Sequence, residues 1–312
     1  MRMQERRTGL MATWLVFLTA VHLAAFAALW RYAVLTKSGQ WLDTVALTGN
    51  YIGRDHIGGL VATVLNAMSV ASLLVATTVI GFIALIRRRI ALAILATLLI
   101  AGANITVQVL KYLLIRPDLG IDPERAAAGN SLPSGHTAVA ASVAVALIMV
   151  LPRTARAWGA LLGATYTALA GVATLSAGWH RPSDAVASLL IVGAWASLIG
   201  LGLLLTDRVD TEPRSADAHR VATGLLLLAA AAMLGIAWYA ADWTLALRPT
   251  PPDELSDNRL LIAYAGSALG ITGTTCLVMG LVLAGVHRVV PRLAPAGPPA
   301  PRRTVSPRTP AS

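Results

Sequence analysis

Three short segments of the chain carry ionisable side chains beside glycine or proline, in spacings that can do chemistry. The first contains Lys111, Arg116 and Pro117. Because Pro117 disfavours helical geometry at the residue before it, we expect a helix to end at Arg116 and the guanidinium to turn across the helix ends. A guanidinium binds two phosphate oxygens and an ammonium adds a compact charge, so the pair suits a phosphate. Taken alone, such a pair is more often two ordinary cations at a membrane interface.

The second segment is Pro133-Ser134-Gly135-His136. Ser134 is a typical N-cap, so a helix is predicted to begin here. Gly135 lets a ligand approach the backbone closely, and the free N–H groups at a helix start attract anions. His136 would lie beside such an anion as an acid or a base. A plain capped helix with an interfacial histidine explains this segment, taken alone, about equally well.

The third segment contains His180, Pro182 and Asp184. Pro182 suits the first turn of a helix, and Asp184 would lie in that turn, near the positive end of the helix dipole. Its carboxylate can accept a hydrogen bond from one ring nitrogen of His180, which leaves the other nitrogen as a nucleophile or base. Taken alone, a loop histidine beside a capping aspartate is the plainer interpretation.

The composition indicates what kind of fold must position these segments. Of the 312 residues, 56% are hydrophobic and only 13% are charged, whereas a soluble domain carries about 25% charged residues. A water-soluble globule and a disordered chain are therefore excluded. The single cysteine, Cys276, excludes a disulfide framework and a cysteine-based zinc site. We predict an all-α fold, a polytopic bundle of transmembrane helices.

Eight stretches of the chain approach the roughly 20 apolar residues that a spanning helix needs. None of them shows the strict alternation of strands in a membrane barrel. The sequence therefore predicts about eight spans. The stretches are 10–31, 58–86, 90–112, 136–152, 157–179, 184–206, 221–243 and 260–286.

The basic residues predict the orientation of the bundle. Eight spans place both termini on one side, and that side holds sixteen of the 25 Lys and Arg residues. By the positive-inside rule this side is cytoplasmic, so the three segments lie at the extracytoplasmic helix ends. The net charge of +10 then reflects topology, and no nucleic-acid partner is predicted because the arginines are spread over separate loops. The sixteen are Arg2, Arg6, Arg7, Arg87, Arg88, Arg89, Arg153, Arg156, Arg208, Arg214, Arg220, Arg288, Arg292, Arg302, Arg303 and Arg308.

The predicted topology brings the three segments to the same face of the bundle. Together they supply two histidines, an acid, a lysine and an arginine around a helix-end anion site. Chance placement of all three on one face is much rarer than any one of the ordinary interpretations. The combination therefore predicts a centre for phosphoryl transfer.

These segments resemble the three motifs of the type-2 phosphatidate phosphatase superfamily, which also includes bacterial acid phosphatases and vanadium haloperoxidases. The family motifs are Lys-x6-Arg-Pro, Pro-Ser-Gly-His and Ser-Arg-x5-His-x3-Asp. Here the second motif is complete, the third keeps its histidine and aspartate, and the first keeps its lysine and its Arg-Pro pair. The matching positions are Lys111, Arg116, 133–136, His180 and Asp184.

The resemblance implies a mechanism and a role for each matching residue. His180 would attack phosphorus and form a phosphohistidine, Asp184 would orient it, and His136 would protonate the leaving alkoxide and then activate water. No metal and no other cofactor is implied, because preorganised donors supply the electrostatic stabilisation. The donors that would hold the phosphoryl oxygens are Lys111, Arg116, Ser134 and the Gly135 N–H.

Two departures from the family pattern stand out. Lys111 and Arg116 are separated by four residues instead of six, which on a continuous helix turns them about 140° apart. A break in the helix before the proline would remove this problem. The serine and arginine of the third motif fall at Ala173 and Thr174. Arg181 is the nearby spare cation, and we predict that it replaces the missing arginine as a phosphate-binding residue.

The sequence thus predicts a lipid phosphate phosphatase of the cell membrane with an extracytoplasmic site. It would hydrolyse a phosphomonoester or diphosphate of a polyprenyl lipid or glycerolipid, and its partners would be this substrate and membrane lipids. The exact lipid and the oligomeric state stay open. Two alternatives also stay open: a phosphotransferase with an acceptor other than water, and a non-catalytic lipid-binding or transport relative, which the missing arginine favours. Transport would call for ionisable residues near the bilayer midplane, whereas here they cluster at helix ends.

The chain divides into four predicted regions. The resemblance covers about 58–206, and the first span completes the usual six-helix core. The tail is rich in proline and arginine and has no helical pattern, so it is predicted to be disordered. The regions are a cytoplasmic N-terminus (1–9), a six-span phosphatase-like core (10–206), a cytoplasmic loop with two additional C-terminal spans (207–290) and a basic cytoplasmic tail (291–312).

Overall fold

The structure, a computed structural model, describes residues 2–66, 70–86, 90–122, 129–206, 217–248 and 250–289. Within these ranges the chain forms ten α-helices and one short 3₁₀ helix, and no strand. The predicted all-α fold is confirmed. The α-helices are α1 (Arg2–Leu35), α2 (Lys37–Thr48), α3 (Asn50–Asn66), α4 (Val70–Ile86), α5 (Ile90–Leu113), α6 (Gly135–Val150), α7 (Arg153–Ser176), α8 (Pro182–Thr206), α9 (Asp217–Leu245) and α10 (Asp257–Val289), and the 3₁₀ helix is Pro252–Glu254.

Six of the described helices are long and apolar enough to cross a membrane, namely α1, α5, α7, α8, α9 and α10. Two further apolar helical segments are shorter, Leu74–Ile86 in α4 and Gly135–Val150 in α6. The architecture is therefore compatible with a polytopic membrane bundle, as predicted, but its apolar helices are unequal in length. The predicted stretch 58–86 is shared between α3 and α4, which lie on either side of residues 67–69.

Helix α2 is the element that the hydrophobic pattern missed, because twelve residues are too few for a span. Thr36 caps its start and accepts a hydrogen bond from the Gly39 N–H at 3.0 Å. The Gln40 side chain donates from Nε2 to the carbonyl oxygens of Val34, at 2.7 Å, and Pro117, at 2.9 Å. The amide thereby ties α2 to the end of α1 and to the segment that follows α5.

Helix α6 lies in the centre of the bundle, where α5 and α7 pack against it. Most of its residues are buried, and many of them are alanines, including Ala138, Ala141 and Ala144. Small side chains allow helices in a membrane to approach each other closely, which strengthens their van der Waals contact. The short central helix is therefore held by neighbours on several sides, and its N-terminal end faces the functional segments.

Helix α10 is part of the shared core. Met279 and Leu283 belong to the same apolar cluster as residues of α6 and α8, and the hydroxyl groups of Tyr264 and Ser176 lie 2.6 Å apart. In α10, 61% of the apolar window is buried, compared with 17% in both α1 and α9. The C-terminal helices are thus not simply attached outside a six-helix core, since α10 packs within it and α9 covers α10.

Several sequence-based predictions lie wholly or partly outside the described residues. These are the basic segment 87–89, the loop expected after 206 and the tail 291–312. The division of the chain into four regions likewise stays a prediction.

Replacing Gly39 by alanine tests the close packing of α1 and α2. A Cβ at this position would overlap the backbone carbonyl oxygen of Tyr32. Because this oxygen belongs to the main chain, no side-chain rotation can relieve the overlap. We expect Gly39→Ala to lower the free energy of unfolding by about 1–3 kcal/mol, measured by denaturant unfolding in detergent micelles. The matched control is Gly59→Ala in α3, where a Cβ meets nothing within 4 Å and alanine favours the helix. Equal stability of the two variants would contradict the packing.

Candidate active site

The fold gathers the three predicted segments at one end of the bundle. The turn between α7 and α8 carries His180, the start of α6 carries His136, and the segment after α5 carries Arg116. The rings of His136 and His180 have their centroids 6.3 Å apart, at an interplanar angle of 63°. Trp179 also lies against His136, with ring centroids 5.3 Å apart. Two imidazoles that are far apart in the chain thus share one site.

Asp184 holds the ring of His180. The His180 Nδ1 lies 3.1 Å from the Asp184 Oδ2, and the backbone N–H of Arg181 donates to the same oxygen at 3.0 Å. Because an ionised carboxylate only accepts hydrogen bonds, this contact places the imidazole proton on Nδ1 and leaves Nε2 with its lone pair. Asp184 is fully buried, so this orientation is protected from solvent.

The backbone of the turn explains how His180 reaches this position. Gly178 follows the end of α7 with φ of +72°, a conformation that glycine adopts without strain and that commonly ends a helix. The N–H groups of Trp179 and His180 then both donate to the carbonyl oxygen of Thr174, at 3.0 and 3.2 Å. The Thr174 hydroxyl is directed to the Gly171 carbonyl at 2.8 Å. Thr174, which stands where the family motif has arginine, therefore stabilises the turn and supplies no positive charge.

Ser134 caps α6, as predicted, and also joins α6 to α8. Its Oγ accepts hydrogen bonds from the N–H and the hydroxyl of Thr137, at 3.4 and 3.1 Å. Its own N–H donates to the Asp184 carbonyl at 3.0 Å, and the Ser188 hydroxyl donates to the Ser134 carbonyl at 2.7 Å. These bonds place the partly buried start of α6, which includes Gly135, directly beside the first turn of α8.

Arg116 lies beside Asp184, although α5 ends earlier than expected. The helix stops at Leu113, so Arg116 lies outside it and the spacing of the first motif no longer has to match a helical face. The guanidinium is buried, and its Nη2 lies 3.9 Å from Asp184 Oδ1. Among the described residues, its Nε and Nη2 meet no hydrogen-bond partner. Lys111, in the last turn of α5, lies within electrostatic reach of His136.

Arg181 lies on the other side of the site and is held by the loop that precedes α6. Its Nη2 lies 3.3 Å from Asp122 Oδ2, and its Nη1 donates to the Ser131 hydroxyl at 3.4 Å. Burial, and next the nearby positive charge of Arg116, lower the pKa of the Arg181 guanidinium. Two buried guanidinium groups close to each other repel, and an anion between them would relieve this repulsion.

Asp43 is a site residue that the sequence analysis missed. It lies on α2, and its carboxylate accepts hydrogen bonds from the N–H of Ser183, at 3.2 Å, and from the Ser183 hydroxyl. Its Oδ2 also lies 3.6 Å from Arg116 Nη2. Burial raises the pKa of Asp43 to about 6, and the positive charge of Arg116 opposes this shift. A signal was present, because an acid flanked by the apolar residues of 41–47 needs a partner when it is buried.

This arrangement can bind an anion and transfer a phosphoryl group. It offers an oriented nucleophile in His180, a second imidazole in His136, and buried donors on Arg116 and Arg181. The same donors could also bind a phosphate without reaction. The geometry alone therefore gives the class of chemistry, and the lipid or other group that carries the phosphate is a separate question.

The comparison with protein families agrees with this chemistry. Residues 90–203, less than half of the chain, match the model of the PAP2 superfamily. The predicted resemblance to the type-2 phosphatidate phosphatase superfamily is thereby confirmed. The match includes α5, α6, α7 and α8 and all three motifs, whereas Asp43 lies before it. Comparisons with curated proteins and with solved structures gave no significant match.

Inorganic phosphate is expected to stabilise the protein against thermal unfolding, because it would bind only the folded site. A ligand at about 100 times its Kd adds about 2.7 kcal/mol, which a fluorescence-detected melting curve in detergent resolves. Arg116→Gln should remove most of this stabilisation. The control is Arg220→Gln, since Arg220 is exposed in the first turn of α9, the helix whose opposite end packs beside α2. Equal stabilisation of both variants by phosphate, at constant ionic strength, would contradict the assignment.

Proposed function

We propose, from the premise that residues 90–203 belong to the PAP2 superfamily, that this protein is an integral-membrane lipid phosphate phosphatase. It hydrolyses a phosphomonoester or diphosphate of a polyprenyl lipid or glycerolipid through a phosphohistidine. The observation that carries the proposal is the pair of imidazoles, with His180 bonded to Asp184 at 3.1 Å and its ring centroid 6.3 Å from that of His136.

The first step is attack by His180 on phosphorus. The Nε2 lone pair forms an N–P bond while the P–O bond to the lipid breaks, and the lipid leaves as an alkoxide or, from a diphosphate, as a phosphate. His136 donates a proton to the leaving oxygen. The carboxylate of Asp184 stabilises the positive charge that develops on the His180 ring, in the manner of an acid that orients a catalytic histidine.

The second step is hydrolysis of the phosphohistidine. His136, now neutral, takes a proton from water as the water oxygen attacks phosphorus. The N–P bond breaks, the electron pair returns to Nε2 of His180, and inorganic phosphate leaves. Each histidine ends in its starting protonation state, so the cycle needs no external acid or base beyond water.

The cations stabilise the charge on the phosphoryl oxygens in both steps. Arg116 and Arg181 are buried and close to each other, and several of their donor atoms have no hydrogen-bond partner within the described residues. Lys111, the Ser134 hydroxyl and the N–H of Gly135 complete the proposed cradle. Removal of one such preorganised donor typically costs about 10²–10³ in kcat. Donors of this kind supply what a metal ion supplies elsewhere, so the proposed reaction is metal-independent.

The membrane setting favours an amphiphilic substrate. The site lies at the ends of apolar helices, where a phosphate can meet the cations while the hydrocarbon chain stays in the bilayer. The basic residues of the opposite loops favour cytoplasmic termini and an extracytoplasmic site in the cell membrane.

Phosphate release from a panel of lipid phosphates tests the proposal. We expect the purified protein in detergent to release inorganic phosphate from at least one polyprenyl or glycerolipid phosphate, with and without chelator. His180→Ala should lower kcat at least about a thousandfold, and His136→Ala should lower it about 10²–10⁴-fold. A phosphorylated protein that is labile to acid and stable to base would be the sign of the phosphohistidine.

The matched control for the acid is the pair Asp184→Asn and Asp257→Asn. Asp257 is exposed and bonds to the Tyr51 hydroxyl outside the site, so only the first change should abolish release.

Activity that survives His180→Ala would refute the nucleophile, and activity that disappears with chelator and returns with a divalent cation would refute metal independence. Transfer of phosphate to an added alcohol without release would favour the phosphotransferase. Binding of lipid phosphates without turnover would favour the non-catalytic relative.

Arg181 is expected to bind the phosphate in place of the arginine that is missing at Thr174. Arg181→Gln should lower kcat/KM about ten- to a hundredfold, since a hydrogen bond to a charged group contributes about 1.5–3 kcal/mol. The comparison is again Arg220→Gln, which should leave kcat/KM unchanged. If both variants keep wild-type kinetics, Arg181 has no part in phosphate binding.

A further inference from the structure

The carboxylate of Asp43 lies deep in the site without belonging to any of the three motifs. It reaches the site from α2, is 6% exposed, and accepts two hydrogen bonds from Ser183 in the first turn of α8. Its Oδ2 lies 3.6 Å from Arg116 Nη2. A buried carboxylate in this position can act on the arginine, whereas it repels a phosphate and so cannot itself bind one.

Arg116 stands between two acids and is in close contact with neither. Its Nη2 is 3.6 Å from Asp43 and 3.9 Å from Asp184, and both distances exceed that of a normal hydrogen bond. Arginine and carboxylate groups usually close into a bidentate pair. Here such closure on Asp184 would take the acid away from His180.

We propose that Asp43 is a positioning residue that holds Arg116 away from Asp184. Asp184 then stays bonded to His180 and keeps the nucleophile oriented, while the negative charge of Asp43 beside Arg116 weakens the binding of phosphate. The inference rests on the proposed function, since it concerns how the nucleophile and the phosphate-binding arginine of that reaction are kept apart.

The charge of Asp43 is the property that this role needs. The charged or titratable groups that face it are Arg116, Arg181, Asp184 and Tyr32. Helices α9 and α10 contribute only small and hydroxyl-bearing side chains to a cavity of about 180 Å³ beside it, including Ala241, Thr244 and Ser267. With a pKa of about 6, Asp43 is charged and restrains Arg116 at pH 7.5. As the pH falls through about 6 it takes up a proton and releases Arg116.

The test is Asp43→Asn, which keeps the shape of the side chain and an acceptor for Ser183 but removes the charge. We expect kcat at pH 7.5 to fall about ten- to a hundredfold, as a displacement of about 1 Å at a reacting group can cost. Inorganic phosphate, measured as an inhibitor and by thermal stabilisation, should bind several-fold more tightly, because a negative charge beside Arg116 is gone. A loss of structure would instead weaken both kcat and phosphate binding.

Two further variants serve as controls. Asp43→Glu retains the charge, and the neighbouring cavity has room for one more methylene, so it should recover kcat to within a few-fold of the wild type. Asp257→Asn, an acid-to-amide change away from the site, should change neither quantity. Phosphate binding of the wild type and of Asp43→Asn should become equal below about pH 6, since phosphate and the histidines titrate in both proteins and only Asp43 differs.

The experiment tests the inference and the proposed function separately. If the wild type turns over a lipid phosphate, lower kcat together with tighter phosphate binding supports the inference, and any other combination overturns it while the function stands. If no lipid phosphate is turned over, the proposed function fails. Phosphate binding then decides alone: tighter binding by Asp43→Asn at pH 7.5 that disappears below pH 6 supports the inference, and equal binding at every pH overturns it.

Discussion

The site depends on one buried carboxylate, that of Asp184. A charge without solvent must be matched by hydrogen bonds and opposite charges, and this requirement fixes its neighbours. Oδ2 accepts from His180 and from the N–H of Arg181, while Arg116 lies beyond Oδ1. The carbonyl of the same residue accepts the N–H of Ser134. One residue thus connects the turn before α8, the start of α6 and the segment after α5.

Two guanidinium groups and two further acids surround this carboxylate. Arg116 is shared between Asp43 and Asp184, and Arg181 is paired with Asp122. A buried guanidinium group that is not closely paired with an acid keeps some of its N–H donors free, and a phosphate requires such donors. An arrangement of tight bidentate pairs would be more stable alone and less able to bind an anion.

The helical bundle packs closely around this site. Helix α6 is short and central, and small residues let α5, α7 and α8 approach it closely. Helix α10 adds Ile271 and Met279 to the buried apolar clusters, and the Tyr264 hydroxyl meets Ser176 one turn before the His180 loop. Helix α10 therefore packs against the end of α7, just before the His180 turn, although it lies outside the region that matches the family.

The sequence by itself determined the features that local physics encodes. Long apolar runs predicted membrane helices, Ser134 predicted the start of α6, and the His180-x3-Asp184 spacing predicted an oriented imidazole, because caps and turns depend on neighbouring residues. Only the tertiary structure decided that α2 brings Asp43 to Arg116. That contact joins residues far apart in the chain, and it depends on how α2 packs between α1, α8 and α10. A buried acid reveals that it needs a partner, but which cation satisfies it is decided by packing, since no local pattern links the two.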